Sequence, residues 1–278
     1  ASGTDAKGIT GMNLDRADEP TGIVDCCKMP ADCSSLIREA ASRGAKLITL
    51  PELFSCLGPL DEMIAQAEPI PGPTSDWLAG LAGELFVTLC AGSIAEKSSQ
   101  PGKGHNTTLV FGPDGGLLGQ YRKMHLFDVV IPGGPNITES DHMIPGEKLL
   151  LTESPDVRLG HATCYDLRFP ELFRALASGN ADVLVVPAAF THVTGRDHWE
   201  VLLRARAIEN QAFVVAANQF GTHGPGLKSW GHSLIIDPWG EILAEASGDR
   251  EEVITAKLQP TRLQSVREKL PALTHRRL

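Results

Sequence analysis

The sequence lacks any apolar stretch long enough to cross a bilayer. Its longest runs, such as Phe86–Ala91 and Val183–Phe190, fall well short of the roughly 20 residues a membrane helix needs. It shows no basic leader followed by an apolar stretch, so a soluble, cytoplasmic protein with no membrane partner is expected. Basic character is also scarce. Lys and Arg total 25 against 34 Asp and Glu, a formal net charge of −9, which removes the positive footprint a nucleic-acid binder presents to phosphates. Several chemical motifs are missing. Without a G-x-S-x-G elbow, an H-E-x-x-H pair or a G-x-x-x-x-G-K-[ST] loop, serine α/β-hydrolase, zincin and P-loop chemistry have no anchor. The six cysteines (Cys26, Cys27, Cys33, Cys56, Cys90 and Cys164) sit in a chain too long to need disulfide staples. No C-x-x-C pair or nearby His pair accompanies Cys26, Cys27 and Cys33, so no metal site is expected there. Cys90, inside an apolar run, reads as a small core hydrophobe.

What is present is ordinary globular composition, 42% hydrophobic and 21% charged. Strand-like runs recur at 46–50, 86–91, 107–111, 117–122, 158–163, 182–188, 213–218, 232–237, 241–246 and 252–257. Helical patterns lie between several of them, at Ala31–Arg43, Ser75–Leu85, Pro170–Ser178 and Asp197–Gln211. The last opens on Asp197-x-x-Glu200, a capping-box-like start. This alternation predicts α/β architecture, and the turns at Gly112–Gly116 and Asp237–Gly240 predict tight hairpins. With no Pro/Ser-rich linker and no internal repeat, one domain over residues 1–278 is expected. Asp128–Gly146 is long, rich in Gly and Pro and aperiodic, as functional loops often are.

Cys164 stands at a predicted strand-to-helix turn, after Leu159-Gly160-His161-Ala162-Thr163 and before Pro170, a residue suited to a first helical turn. There the positive end of a helix dipole lowers a thiol pKa and leaves backbone N–H groups free for an oxyanion. A structural cysteine at a strand end is the alternative. Glu52 follows the run Lys46–Leu50 and Pro51; Lys123 follows Leu117–Arg122. Catalytic groups in α/β sheets gather beyond the carboxyl ends of strands, although each of these charges alone also suits a solvated loop. Together the three supply a base, a cation and a sulfur nucleophile, the parts needed for acyl transfer.

Four blocks in one order resemble the nitrilase, or carbon–nitrogen hydrolase, superfamily over about residues 31 to 277. They are Leu50-Pro51-Glu52; Tyr121-Arg122-Lys123-Met124-His125-Leu126; Cys164-Tyr165-Asp166-Leu167-Arg168-Phe169-Pro170-Glu171; and the helix His198–Gln211. The resemblance implies a four-layer α-β-β-α sandwich, often assembled into homodimers or higher homo-oligomers, and a catalytic triad at Glu52, Lys123 and Cys164. A second catalytic glutamate matches Glu139 better than Glu147. Asp128–Glu139 and the tail Leu270–Arg277 resemble the branch holding deaminated-glutathione amidases and ω-amidases. Residues 1–30 depart from the family pattern: Gly8–Asn13 is a poor first strand and Asp18–Pro30 reads as irregular.

The implied reaction cleaves a small carboxamide to a carboxylate and ammonia through a cysteine thioester, with no metal or cofactor. Cys164 attacks, Glu52 moves the proton, Lys123 and the backbone N–H of Tyr165 hold the oxyanion, and Glu139 orients Lys123 or the amide. Deaminated glutathione is the substrate the branch implies; ω-amidase activity on α-ketoglutaramate or α-ketosuccinamate is the alternative, and a silent scaffold is a third reading. Arg168 could pair with a substrate carboxylate or form a structural ion pair with Glu171 or Asp166. Thr191 and His192, in an expected polar loop Phe190–Asp197, are further substrate-binding candidates. His198, Arg204, Arg206 and Glu209 read as structural or interfacial.

Overall fold

The computed structural model describes residues 20–25, 30–130, 136–155, 157–224 and 226–277. In chain order they build β1 (Pro20–Asp25), α1 (Pro30–Ser42), β2 (Leu47–Thr49), α2 (Leu60–Ala65), α3 (Pro73–Leu85), β3 (Thr88–Cys90), β4 (Ile94–Lys97), β5 (Gly104–Phe111) and β6 (Leu117–Arg122). A hairpin of β7 (Asp128–Val130) and β8 (Asn136–Thr138) follows. Next come β9 (Leu151–Glu153), β10 (Arg158–His161), α4 (Pro170–Ser178), β11 (Val183–Val185), α5 (His192–Asn210) and β12 (Phe213–Ala216). A second hairpin pairs β13 (Phe220–Gly224) with β14 (Leu227–Trp230), ahead of β15 (Leu234–Ile236), β16 (Ile242–Glu245), β17 (Glu252–Lys257) and α6 (Pro260–Lys269).

Two mixed sheets carry the fold. One runs β17-β1-β2-β3-β5-β4 with β6 added beside β5; the other runs β16-β15-β12-β11-β10-β9. Each has three adjacent parallel strands, β1-β2-β3 and β10-β11-β12, flanked by antiparallel ones. The runs Val183-Leu184-Val185 and Phe213-Val214-Val215-Ala216 are buried on both faces, the signature of strands covered from two sides. Three apolar layers result. Cys33, Ile37 and Ala40 of α1 and Leu78, Leu81 and Ala82 of α3 pack with Ile48 and Leu89 of the first sheet. Leu47, Cys90 and Val110 meet Leu159, Val183, Val185 and Val215 between the sheets. Leu172, Phe173 and Leu176 of α4 and Trp199, Leu203 and Ala207 of α5 cover the outer face of the second sheet. This is a four-layer α-β-β-α sandwich, and each fully buried Leu, Val or Phe stabilises it by about 1.5–3 kcal/mol.

Proline marks the starts of α3, α4 and α6, at Pro73, Pro170 and Pro260, where its missing N–H costs nothing. Three expectations need correction. The long helix α5 begins at His192 rather than Asp197, so there is no polar loop Phe190–Asp197. Asp197 lies inside the helix and pairs with Arg196, while Glu200 pairs with Arg204. The aperiodic segment Asp128–Gly146 contains, among its described residues, a pair of hairpin strands and a 3₁₀ turn, Glu139–Asp141. Part of Asp18–Pro30 is regular, since Pro20–Asp25 pairs with both β2 and β17. Gly8–Asn13, Cys26 and Cys27 lie outside the described residues. Among the described residues, no helix is long and apolar enough to cross a membrane.

Candidate active site

The strand ends deliver the chemistry. Glu52 lies three residues beyond β2, Lys123 directly follows β6, and Cys164 lies three residues beyond β10. Lys123 Nζ donates to Glu52 Oε1 at 3.0 Å and to Glu139 Oε2 at 2.9 Å and Oε1 at 3.2 Å. Glu139, at the start of the turn after β8, also accepts Phe127 N–H at 2.6 Å. All four side chains are nearly removed from solvent; Cys164, the most exposed, is 8% accessible. Glu147 is exposed, so of the two glutamates in that segment only Glu139 reaches the lysine.

Burial opposes the charge on Lys123, but the carboxylates of Glu139 and Glu52 outweigh it and hold the ammonium well above its usual pKa. The lysine is thus a fixed positive charge rather than a proton donor. The thiol behaves contrary to the expectation drawn from a helix N-terminus. Burial, reinforced by the Glu52 carboxylate, pushes Cys164 well above the usual thiol range, and Lys123 only partly offsets this. The resting sulfur carries its proton, with Glu52 and the backbone N–H of Ala189 within hydrogen-bonding reach.

Cys164 takes the left-handed conformation, φ 48°, which a side-chain-bearing residue adopts only when its surroundings impose it. Its N–H donates to Pro187 O at 2.8 Å, and the chain then enters a 3₁₀ turn over Cys164–Arg168. Asp166, fully buried, ties that turn to the lysine-bearing segment. It accepts Thr163 N–H at 2.8 Å, Tyr121 Oη at 2.6 Å and His125 N–H at 3.0 Å, with His125 Nδ1 at 2.7 Å. From below, Arg206 donates to Leu167 O at 2.7 and 3.2 Å. Arg206 thus supports the turn that carries Cys164 from inside the molecule.

The cluster opens into a cavity of about 660 Å³, within the usual size range of ligand pockets. Its walls come from Leu57–Asp61 and Met63, from Phe127 and Asn136–Glu139, from Tyr165 and Arg168, from Ala189–Thr191 and Thr194, and from the second hairpin at His223, Gly224, Gly226 and Leu227. Thr191 lines it. His192 does not; its ring packs edge-on against Trp230. Arg168 lines the cavity and forms neither of the ion pairs considered for it, since Asp166 is committed elsewhere and no carboxylate among the described residues lies within ion-pair distance of it. Its guanidinium stands over Phe190 at 5.0 Å and Tyr165 at 5.9 Å, with His198 Nδ1 at 3.3 Å from Nη1. Burial holds Arg168 below its ordinary pKa. Sequence reasoning missed Asn106, whose Nδ2 donates to Glu52 Oε1 at 2.7 Å, and the Ala189 N–H that donates to Oε2 at 2.8 Å. Neither carries a local signal, because one sits inside a strand and the other is backbone.

Fold and site together define an α/β enzyme with a thiol buried beside an acid and a lysine. The chain belongs to the carbon-nitrogen hydrolase family, whose description it matches over residues 28–268; it is a hydrolase acting on carbon–nitrogen bonds other than peptide bonds. It is 44% identical over 248 residues to deaminated glutathione amidase of Synechocystis sp., covering 88% of this chain and 91% of that protein. It is 40% identical over 243 residues to human omega-amidase, covering 87% of each. Among solved structures it is similar to Saccharomyces cerevisiae Nit3, a member of the nitrilase superfamily, with a TM-score of 0.78 and 31% identity over 94% of this chain and 97% of that one.

Proposed function

We propose that this protein is a thiol amidase using Glu52, Lys123, Glu139 and Cys164, and that deaminated glutathione is its substrate. The convergence of one carboxylate, one ammonium and one thiol at the buried end of a single cavity carries this reading. Glu52 takes the thiol proton as the sulfur attacks the amide carbon, then delivers it to the departing nitrogen. Lys123 and the backbone N–H of Tyr165 face the oxyanion; one such donor typically contributes about 3–4 kcal/mol to the transition state. Water, deprotonated by Glu52, opens the thioester. Glu139 keeps Lys123 charged and aimed. The leaving group is ammonia for a primary amide and an amine for a substituted one such as deaminated glutathione.

Arg168 is the substrate-recognition group. A part-buried guanidinium that meets no carboxylate among the described residues, on a wall shared with Thr191, suits the carboxylate of a keto acid. The cavity has room for either substrate; the 44% identity to the deaminated glutathione amidase of Synechocystis sp., against 40% to human omega-amidase, supports deaminated glutathione over the second reading, α-ketoglutaramate. A homo-oligomer fits the exposed apolar residues Val201 and Ile208 on α5 and Trp239 in the adjoining turn. A reducing, cytoplasm-like compartment suits the free thiols of Cys56, Cys90 and Cys164.

The test is keto-acid release from deaminated glutathione and from α-ketoglutaramate, measured side by side. The first is expected to show the higher kcat/KM, and Cys164→Ala to abolish both while leaving the circular dichroism spectrum unchanged. Full activity in that variant would refute the thiol mechanism, and a preference for the shorter amide would reverse the substrate assignment.

A further inference from the structure

Asn106 is the polar side chain of this cluster to which the amide-cleaving scheme gives no task. It projects from the middle of β5 and is 1% exposed. Its backbone carbonyl accepts Lys123 N–H at 2.9 Å. Its side-chain Nδ2 donates to Glu52 Oε1 at 2.7 Å and lies 3.4 Å from Glu139 Oε1. Its Oδ1 finds no protein donor among the described residues. The donor end faces two carboxylates, so the site uses the NH₂ group.

The two oxygens of Glu52 thereby become distinct. Oε1 receives Asn106 Nδ2 and Lys123 Nζ, at 2.7 and 3.0 Å. Oε2 receives the Ala189 N–H at 2.8 Å, and that same N–H lies within reach of the Cys164 sulfur. The titratable groups facing Glu52 are Lys123 from the end of β6 and Cys164 from beyond β10, with Glu139 behind the lysine. Among the described residues, Asn106 is the neutral side chain that donates to the Glu52 carboxylate.

We propose that Asn106 is a positioning residue that commits Oε1 of Glu52 to fixed donors, so that Oε2 is the oxygen that takes the thiol proton. The inference rests on the reading of Glu52 as general base. In the step, the S–H bond of Cys164 breaks and its proton passes to Oε2. The sulfur electron pair forms the bond to the amide carbon, and the carbonyl π pair moves onto the oxygen that faces Lys123. The new carboxylic acid returns that proton to the departing nitrogen. The terminal torsion of a glutamate has a broad, two-fold profile, and the bond from Asn106 opposes the rotation that would exchange the two oxygens.

Asn106→Leu keeps most of the volume and removes the donor. The expected result is a kcat lower by about 10- to 100-fold with KM changed by less than about 3-fold, the range for losing a hydrogen bond to a charged group. The acid limb of the kcat/KM profile is expected to move to higher pH, because removing a donor from a carboxylate disfavours its ionised form. A packing role alone would lower the thermal midpoint and leave that limb in place, which would overturn the proposal. Should the leucine variant fail to fold, Asn106→Ser, whose hydroxyl is too short to reach Glu52, is read in the same way. Cys164→Ala, assayed alongside, separates the two claims. Activity in that variant sinks the thiol mechanism itself, whereas its inactivity with an unmoved limb in Asn106→Leu sinks the Asn106 assignment alone.

Discussion

Lys123 shows what a buried ion cluster demands. Its ammonium is held by Glu52 and Glu139 with almost no solvent contact, an arrangement in which removing one partner strands the others at a cost of about 3–5 kcal/mol. Arg168 is the opposite case: a cation that meets aromatic faces and no carboxylate among the described residues. Arg168→Leu should therefore raise KM about 10- to 100-fold for keto-acid amides, the loss expected for a charge-assisted pair. It should change KM less than about 2-fold for an uncharged amide of similar size. Equal effects on both substrates would show that Arg168 shapes the wall rather than reads charge. The convergence of Glu52, Lys123 and Cys164 could be anticipated because each follows a strand-like run, a pattern that survives in one dimension. Asn106 could not be, because its meaning comes from which strand lies beside β5 and from what the ends of the other strands bring to it. The thiol's proton affinity was misjudged for a related reason: a helix terminus is visible in sequence, but the depth of burial and a carboxylate more than a hundred residues away are not.

The runs 182–188 and 213–218 contain β11 and β12, buried along their whole length, since continuous apolar runs report burial directly, and Pro170–Ser178 is α4. The start of α5 was misplaced because Asp197-x-x-Glu200 imitates a capping box inside a helix that begins at His192. The first turns of that helix include Gly195, where an added Cβ would fall 2.3 Å from Trp230 Cβ. A glycine there suggests a loop in sequence; in the structure it lets β14 approach the helix. The hairpin β13–β14 and strand β9 are short and depend on their partners, so they carried little local signal. One strand makes a prediction of its own. His161, on β10, is fully buried, and burial lowers its pKa to about 3. Above pH 6.5 both the folded and unfolded forms are neutral at this residue. Below it the unfolded chain binds a proton that the folded one refuses, so stability falls with pH until about pH 3. At pH 5 this amounts to about 2 kcal/mol, one and a half units at about 1.36 kcal/mol each. Between pH 7 and pH 5 the thermal midpoint of His161→Leu should fall less steeply than that of the parent; parallel slopes would show that other groups carry the acid sensitivity.

At the scale of the whole molecule, the sandwich places its two layers of helices on opposite outer faces, and α5 serves both ends of the problem. Its N-terminal turn borders the cavity through Thr191 and Thr194, and its C-terminal half presents Val201, 67% exposed, and Ile208, 49% exposed, to solvent one heptad apart. Trp239, 56% exposed, stands in the neighbouring β15–β16 turn, which Arg204 ties to the helix through Gly240 O at 2.9 Å. The inward face of α5, with Trp199, Leu203 and Ala207, covers the second sheet, so these outward residues lie outside the buried layers, with Ile208 resting on Gly240 of that turn. Large apolar side chains clustered on a rigid helix and an adjoining turn are what an interface between copies uses. If two copies pair through this face, the native protein should elute at a multiple of its 29.8 kDa, and Val201→Glu with Ile208→Glu should shift it to monomer. The circular dichroism spectrum should not change, since neither side chain enters the core. The reacting groups lie within one chain, so the monomer should keep the thiol chemistry, and any loss of activity should follow from movement at Thr191 and Thr194. A wild-type protein already monomeric at micromolar concentration, or a double variant that stays associated, would exclude this face as the contact.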